Sequence, residues 1–598
     1  MTTKSLIKSS LLKNQKVGVI GAGISGLAFT YYLSKLRPDL RIVVIDELDR
    51  PGGYIYSKHK GNGVNFFEKG PRTLRGLSNG SLLILDLLVN LNQQDKILAL
   101  HSSNVSNKKY ILSGGSHDSV SGGSIGTLVQ LPDSLSTLFK FLSDPLGRKL
   151  PIGLINEFFQ PAKKDSEKEE TVEEFFDRRF NHDISMNLVS PLIHGIYAGD
   201  ISKLSVNSIF PILPKYETEN TSIIKSIFKN YRNYDKNDMS NHEIKDELLI
   251  KYKSIFKDSK LNFKKSKIML KNFPMIALKD GLQTLPNTIY NELTNNPNIE
   301  IKLNTKISRL NSNNNNNENE VEVVTKDSDG NEESIIVNHL RSTINSNKLS
   351  NLLVDNKNTQ VLNQYLKDLN YSSIILSNVF INKDLLPIHG FGVLVPKTLI
   401  KKLNLLGVIF DSEVEKNVKP IFEIKEITNE LVNEEDEESE YPQDEGTIDI
   451  NEINKLNKLS IKVEDQKIIK DKDYTKLTFM FGGSYLFNDP NFIKPSNSKL
   501  KQMIMNILEN ELNIDLNSLK IKGGNSKLHN DIVIENSEVL ECIPQYEIGY
   551  NELKEKVWEE VNAHNLKISF GGMSFGDGVG VPDCVYNALK DAIKLSGK

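Results

Sequence analysis

Residues 17–26 read Val17-Gly18-Val19-Ile20-Gly21-Ala22-Gly23-Ile24-Ser25-Gly26, and LAFTYYLSKL (27–36) follows at once. An apolar β-type run, a glycine turn and a helical pattern therefore succeed one another. Gly21 permits the tight turn, Gly23 lets a pyrophosphate approach the backbone, and Gly26 lets helix and strand pack closely. The helix start offers free N–H groups and a positive dipole end to phosphate. A second β-type run, RIVVI (41–45), ends at Asp46, 20 residues after Gly26. A carboxylate there suits the ribose hydroxyls of an adenosine. The spacing predicts an α/β fold with a parallel sheet that binds a dinucleotide.

Downstream come Arg50-Pro51-Gly52-Gly53 and then FFEKGPRTLR (66–75). Asp-x-x-x-Arg-x-Gly-Gly resembles the second cofactor signature of the flavin amine oxidase superfamily, and FEKGPRTLR resembles its protoporphyrinogen oxidase family of the eukaryotic mitochondrial, fungal-like type. The resemblance implies a Rossmann-like FAD-binding domain, a mixed-sheet substrate domain and an α-helical membrane-docking domain. It implies one FAD per chain, held non-covalently. Its expected contacts begin with Gly21, Ala22, Gly23, Ile24, Ser25 and Gly26, then Asp46, Glu47, Arg50, Gly53 and Tyr54, then Gly70, Pro71, Arg72 and Thr73. Ile307 would meet the adenosine through its backbone, and Met573, Val579, Gly580 and Val581 belong to a final glycine turn that covers the flavin ring.

Composition sets bounds. At 598 residues two or three domains are expected. A net charge of −3 and a pI near 6.4 leave no nucleic-acid footprint. Cys542 and Cys584 are the only cysteines, too few for a disulfide framework. No apolar run reaches the roughly 18 residues of a membrane span. Residues 1–16, with Lys4, Lys8, Lys13 and Lys16 and no acid before Asp39, have the basic, hydroxyl-rich composition of a mitochondrial presequence. A disordered basic tail accounts for them equally well.

The resemblance covers almost the whole chain. It places FAD-binding segments at 1–105, 276–345 and 536–598, a helical membrane-docking and substrate region at 106–215, and a substrate domain at 346–535. Residues 216–275 are lysine-rich and are expected to form a solvated helical excursion. Residues 115–125 are a Gly/Ser-rich insert in a hairpin, and Asn311–Asn319 an asparagine-rich hairpin tip. About 429–456 the chain is acidic, with nine acids between Glu430 and Glu445 and no basic residue between Lys425 and Lys455; a disordered insertion is expected. The leucine- and phenylalanine-rich stretch 134–159, broken at Pro145 and Pro151, reads as core helices or as an apolar surface with lysines at its rim. The family's docking domain falls there.

GIYAGD (195–200), GFGVL (390–394), CIPQY (542–546) and GVGVPDC (578–584) carry the most specific likeness. In the family the glycine matching Gly195 offers its carbonyl to the reacting macrocycle, and positions matching Leu394 and Met480 pack on the substrate. An arginine holds a substrate carboxylate where this chain has Lys109, which keeps the charge and loses the planar fork. No nucleophile–base order and no metal-ligand spacing occurs, so no metal is expected; His194 is the one histidine beside the site.

The implied activity is the oxygen-dependent oxidation of protoporphyrinogen IX to protoporphyrin IX in heme biosynthesis, by successive hydride transfers to flavin with hydrogen peroxide release. The implied setting is peripheral, at the mitochondrial inner membrane and facing the intermembrane space. A hand-off to the downstream iron-inserting enzyme and a homodimer both fit. Two rivals share the fold: another flavin amine oxidase acting on an amine, and a flavin-free escort or GDP-dissociation-inhibitor-like binding protein. The first needs an aromatic pair before the last glycine turn, which this chain lacks. The second predicts a colourless protein, whereas bound flavin gives an absorbance band at about 450 nm.

Overall fold

The computed structural model describes residues 11–60, 66–114, 127–163, 168–232, 244–314, 317–432, 449–464, 473–519 and 532–598. Residues 1–10 of the basic N-terminus, the Gly/Ser-rich insert and the centre of the acidic stretch lie outside them.

The strand–turn–helix expected at the N-terminus is present. Lys16–Ile20 is a strand and Ile24–Leu36 the helix. Lys16–Ile20 is the middle strand of a five-stranded parallel sheet, in the order Ile299–Lys302, Arg41–Ile45, Lys16–Ile20, His339–Ser342, Ile568–Phe570. Its inner strands Lys16–Ile20 and Arg41–Ile45 are buried beyond their first residues, and both are rich in Val and Ile. The helices Ile24–Leu36, Asn79–Asn90 and Val581–Ser596 pack together on one side. The carboxyl ends of the strands meet at one edge, and the connections leave Lys16–Ile20 and His339–Ser342 in opposite directions, which is where such sheets bind ligands.

A second, seven-stranded sheet runs Ile532–Pro544, Tyr371–Ile381, Thr475–Gly482, Leu405–Ile409, Gly392–Leu394, Lys109–Ser113, Thr127–Gln130. All its pairs are antiparallel except Gly392–Leu394 with Lys109–Ser113. Alternation along the strands divides its residues between two faces. Tyr110, Val393, Val408, Phe479 and Ile375 enter one core with the helix Asn497–Asn510. Lys109, Leu394, Gly407, Met480, Thr478, Leu376 and Asn378 take the other face by register.

Four boundaries differ from the sequence reading. The hairpin 109–113/127–130 belongs to the substrate sheet, not to the helical region. Ile532–Pro544 is a single strand of that sheet, so the last FAD segment begins after Pro544 rather than at 536. The lysine-rich excursion is not simply solvated. Leu249, Tyr252, Phe256, Leu261 and Phe263 are buried in the core under the dinucleotide sheet. Tyr252 stacks on Phe256 with centroids 4.7 Å apart, and its hydroxyl donates to the buried Asp86 carboxylate at 2.6 Å. The apolar residues sit on Glu247–Ile255, on Phe263–Leu270 and in the link between them, a pattern the overall composition hid. Likewise the acidic insertion is narrower than expected. Lys425–Leu431 and Ile450–Glu464 are helices, with Ile427, Leu431, Leu456, Leu459 and Val463 buried in the same core.

A further helical layer forms around Phe175, Ile184, Val189 and Ile193. It includes Leu150–Phe159, Val172–Arg179, Ser190–Tyr197 and Ile223–Arg232. The buried Arg179 guanidinium fastens it, pairing with Glu157 and Glu217 and donating to the Thr221 carbonyl at 2.9 Å. Among the described residues no helix is long and apolar enough to cross a membrane.

Leu456 is 1% exposed in a segment that composition alone assigns to a disordered loop. Leu456→Ala should cost about 2–4 kcal/mol of unfolding free energy, measured by urea denaturation. An unchanged midpoint would return the segment to the loop reading.

Candidate functional site

At the carboxyl edge of the dinucleotide sheet the backbone lies bare. Gly21 adopts φ 100°, and a Cβ there would sit 2.7 Å from Thr343 Oγ1. Gly53, at φ 59°, comes back to back with Gly23: a Cβ on Gly53 would lie 3.1 Å from the Gly23 Cα. Gly23 and Ser25 stay half-exposed while Ala22, Ile24 and Gly26 are buried. This cradle, which a single methyl would fill, fits the pyrophosphate of a dinucleotide.

Asp46 stands at the end of Arg41–Ile45 and accepts the Ala22 amide at 2.6 Å and the Leu48 amide at 2.8 Å. Burial raises its pKa, against those two donors. Glu47 points outward and pairs with Lys348 at 3.0 Å. Arg50 lies over the Tyr56 ring, with its Cζ 3.9 Å from the centroid, and donates to the Gly53 carbonyl at 2.9 Å and the Ile55 carbonyl at 3.1 Å. Its role is thus to hold the Pro51-Gly52-Gly53 turn. Gly70 passes so close to the Tyr54 carbonyl that no side chain fits, and Pro71, Arg72 and Thr73 continue half-buried toward the substrate sheet. There Arg72 Nη1 lies 3.3 Å from Asp411 Oδ1, yet it makes no hydrogen bond although buried. A carbonyl-bearing ring between the sheets would satisfy it. Ile307 is buried among Ile20, Val43 and Ile45.

The final turn completes the edge. The Met573 carbonyl accepts the Tyr546 hydroxyl at 2.7 Å, and the Ser574 carbonyl accepts the Tyr550 hydroxyl at 2.6 Å. Val579 packs on this tyrosine cluster. The Gly580 amide donates to Asp583 at 3.0 Å, and Val581 opens the C-terminal helix. Cys584 is buried, and burial pushes its thiol up to about 11, which leaves it inert.

Three of the expected substrate residues lie together. A Cβ on Gly195 would lie 2.9 Å from Leu394 Cδ2. Gly407 pairs with both Leu394 and Met480, and a Cβ there would lie 3.4 Å from Leu394 Cδ2 and 3.3 Å from Met480 Cε. The two glycines make room for the Leu394 and Met480 side chains, and these four residues form the candidate substrate slot. Lys109 stands apart from it, one pleat along the same face. It pairs in register with Gly392 and is exposed, without an ion-pair partner among the described residues. His194 is buried, and burial lowers its pKa to about 4. Its neutral ring donates Nδ1–H to the Val395 carbonyl at 2.8 Å and so packs the helix rather than supplying a base.

Sequence reading missed Glu68, Gln283 and Gln545. The Glu68 carboxylate accepts the Ser57 hydroxyl at 2.9 Å and the Leu282 amide at 2.8 Å. Gln283, next in the chain, donates to the Pro51 carbonyl at 2.8 Å. Gln545 donates to the Tyr197 carbonyl at 2.9 Å, at the end of the helix that carries Gly195. The available signal was a polar residue inside an apolar run, at Glu68 in FFEKG and Gln545 in IPQY.

Residues 24–366 match the family of flavin containing amine oxidoreductases. The protoporphyrinogen oxidase of Saccharomyces cerevisiae is 32% identical, over 98% of this chain and 99% of its own length. That of Homo sapiens is 24% identical, over 97% and 98%. Among solved structures, cyclohexylamine oxidase from Brevibacterium oxydans IH-35A superposes with a TM-score of 0.52 at 11% identity, covering 98% of this chain and 99% of that one. At that identity the likeness speaks for the fold alone.

Burial pushes the Glu68 pKa from 4.5 up to about 7, with the Leu282 amide and Ser57 opposing it. Its folded value lies above its unfolded one, so its share of stability is full below pH 4.5 and is lost as pH rises to about 7. Relative to the parent chain, Glu68→Gln should flatten the fall in unfolding free energy across that window; an identical fall in both would refute the assignment. Gly53→Ala, which strains φ 59° and presses on Gly23, should abolish flavin retention through gel filtration while the chain still folds.

Proposed function

This chain belongs to the flavin containing amine oxidoreductase family, among its protoporphyrinogen oxidases, and on that premise we propose how its residues carry out the reaction. It is an FAD-dependent oxidase of protoporphyrinogen IX. The reading is supported by the clustering of Gly195, Leu394, Gly407 and Met480, three of which match the family's substrate positions. When bound, the flavin accepts hydride from the macrocycle and returns the electrons to molecular oxygen.

The chain's own residues bind and orient. Gly23 and Gly53 admit the pyrophosphate, Asp46 takes the ribose hydroxyls, and Arg72 donates to the ring system. Leu394 and Met480 support the macrocycle from below and exclude water. Gly195 presents its backbone carbonyl, a fixed dipole, to the ring nitrogens that carry protons. No side chain is needed as a base, in keeping with a neutral, buried His194. Lys109, exposed and unpaired on the same sheet face, is suited to a propionate carboxylate.

The setting remains that of the sequence reading: peripheral at the mitochondrial inner membrane, toward the intermembrane space, with product passed to an iron-inserting enzyme. What supports membrane contact is an apolar surface where Leu154, Ile155, Phe158 and Phe159 meet Ile224, Ile227 and Phe228, with Lys225 over the Phe158 ring at 4.4 Å. A homodimer is compatible with this arrangement.

Anaerobic mixing of the purified yellow protein with protoporphyrinogen IX tests the reading. The flavin band at about 450 nm should bleach, and air should restore it as porphyrin fluorescence appears. A band that stays oxidised would redirect the assignment to amines. Lys109→Ala should raise KM for porphyrinogen about tenfold and leave kcat nearly unchanged, the signature of lost uniform binding; an unchanged KM would remove Lys109 from the site.

A further inference from the structure

Two residues that carry side chains adopt the left-handed conformation on either side of the site, Ala198 and Glu541, each at φ 46°. Such a conformation persists in a non-glycine residue only where its surroundings impose it. Both are imposed from one place. In the strand Tyr371–Ile381, pairing with Ile532–Pro544 shifts register between Ser372 and Ile374, which makes a β-bulge. The Ser372 hydroxyl donates to the Ala198 carbonyl at 2.9 Å, and the Ser484 amide donates to the same oxygen at 2.8 Å. The Ser373 hydroxyl accepts the Glu541 amide at 2.9 Å. The Glu541 carbonyl accepts the Tyr54 hydroxyl at 3.1 Å and the Asn345 amide group at 2.6 Å.

Ala198 ends the helix Ser190–Tyr197, three residues beyond Gly195. Tyr54 follows Gly53 of the flavin-side turn. The run Gly195–Ala198–Ser372–Ser373–Glu541–Tyr54 therefore joins the substrate slot to the cofactor cradle through adjacent serines of one strand. We propose that Ser372 and Ser373 are positioning residues for hydride transfer, which fix where the helix end that carries the Gly195 carbonyl stands relative to the Gly53–Tyr54 turn. The proposal rests on the function given above. An alanine at 198 is strained at φ 46° and keeps that geometry while the serine bond is made, whereas a glycine adopts it without that strain. Rates of transfer between held groups fall steeply with misplacement of an ångström.

The test uses the full chain with FAD bound. Ser372→Ala should retain FAD and keep KM within about twofold, while anaerobic flavin reduction by protoporphyrinogen slows about tenfold. Ser372→Thr should restore the rate. A198G/S372A should also restore most of it, since glycine takes φ 46° without the hydroxyl. Reduction at the parental rate in Ser372→Ala overturns the proposal, as does an A198G/S372A chain that holds FAD and remains about tenfold slow. If Ser372→Ala alone does not fold, the double variant still decides in the same way. A parent chain that porphyrinogen does not reduce overturns the functional reading and this inference with it, whereas slow variants beside a competent parent speak for the serines alone.

Discussion

Gly53 comes so close to Gly23 that a Cβ on it would lie 3.1 Å from the Gly23 Cα, and the cofactor edge depends on this one close approach. A dinucleotide needs backbone N–H groups aimed at its phosphates and nothing in front of them. The glycine loop provides that on one side. The Arg50–Tyr54 turn must then come in from the other side and be held there. Arg50 folds back on its own carbonyls, Gln283 reaches Pro51, Glu68 fixes the Gln283 loop, and Tyr54 ties the turn to the substrate sheet. The buried polar groups of the domain junction thus share one task, to keep two glycines facing each other.

The second sheet answers a different need. A large flat substrate requires a surface without protrusions, and the face opposite the core supplies it by omission at Gly407 and Gly195. Leu394 and Met480 are ordinary core residues by type. Their meaning comes from the glycines beside them, which leave their side chains as a floor.

Much of this was legible in the chain. Val17 to Gly26 and the strand ending at Asp46 are local patterns, and strand–turn–helix geometry follows from a dozen neighbouring residues. The slot was legible only as far as a resemblance reached Gly195, Leu394 and Met480. Gly407 lay outside it, since its significance is a strand-pairing register. The lysine-rich and acidic stretches misled for one shared reason. Composition averages over a helix, and a stripe such as Leu249, Tyr252 and Phe256, or Leu456, Leu459 and Val463, is diluted by the charged residues on the outer face. The register shift at Ser372 and the left-handed Ala198 have no sequence signature, because each depends on a partner hundreds of positions away or on the opposite strand.

The five strands of the dinucleotide sheet come from residues 16–20, 41–45, 299–302, 339–342 and 568–570. Its edge strand Ile568–Phe570 and the glycine turn after it are therefore made long after the loop at Gly21. Until they arrive, a glycine loop made at the outset has a half-built sheet and an open apolar flank beside it. A chain of such high contact order folds slowly and holds sticky surface meanwhile. A chain without residues 568–598 keeps the glycine loop and loses both an edge strand of its sheet and the helix that packs on Ile24–Leu36.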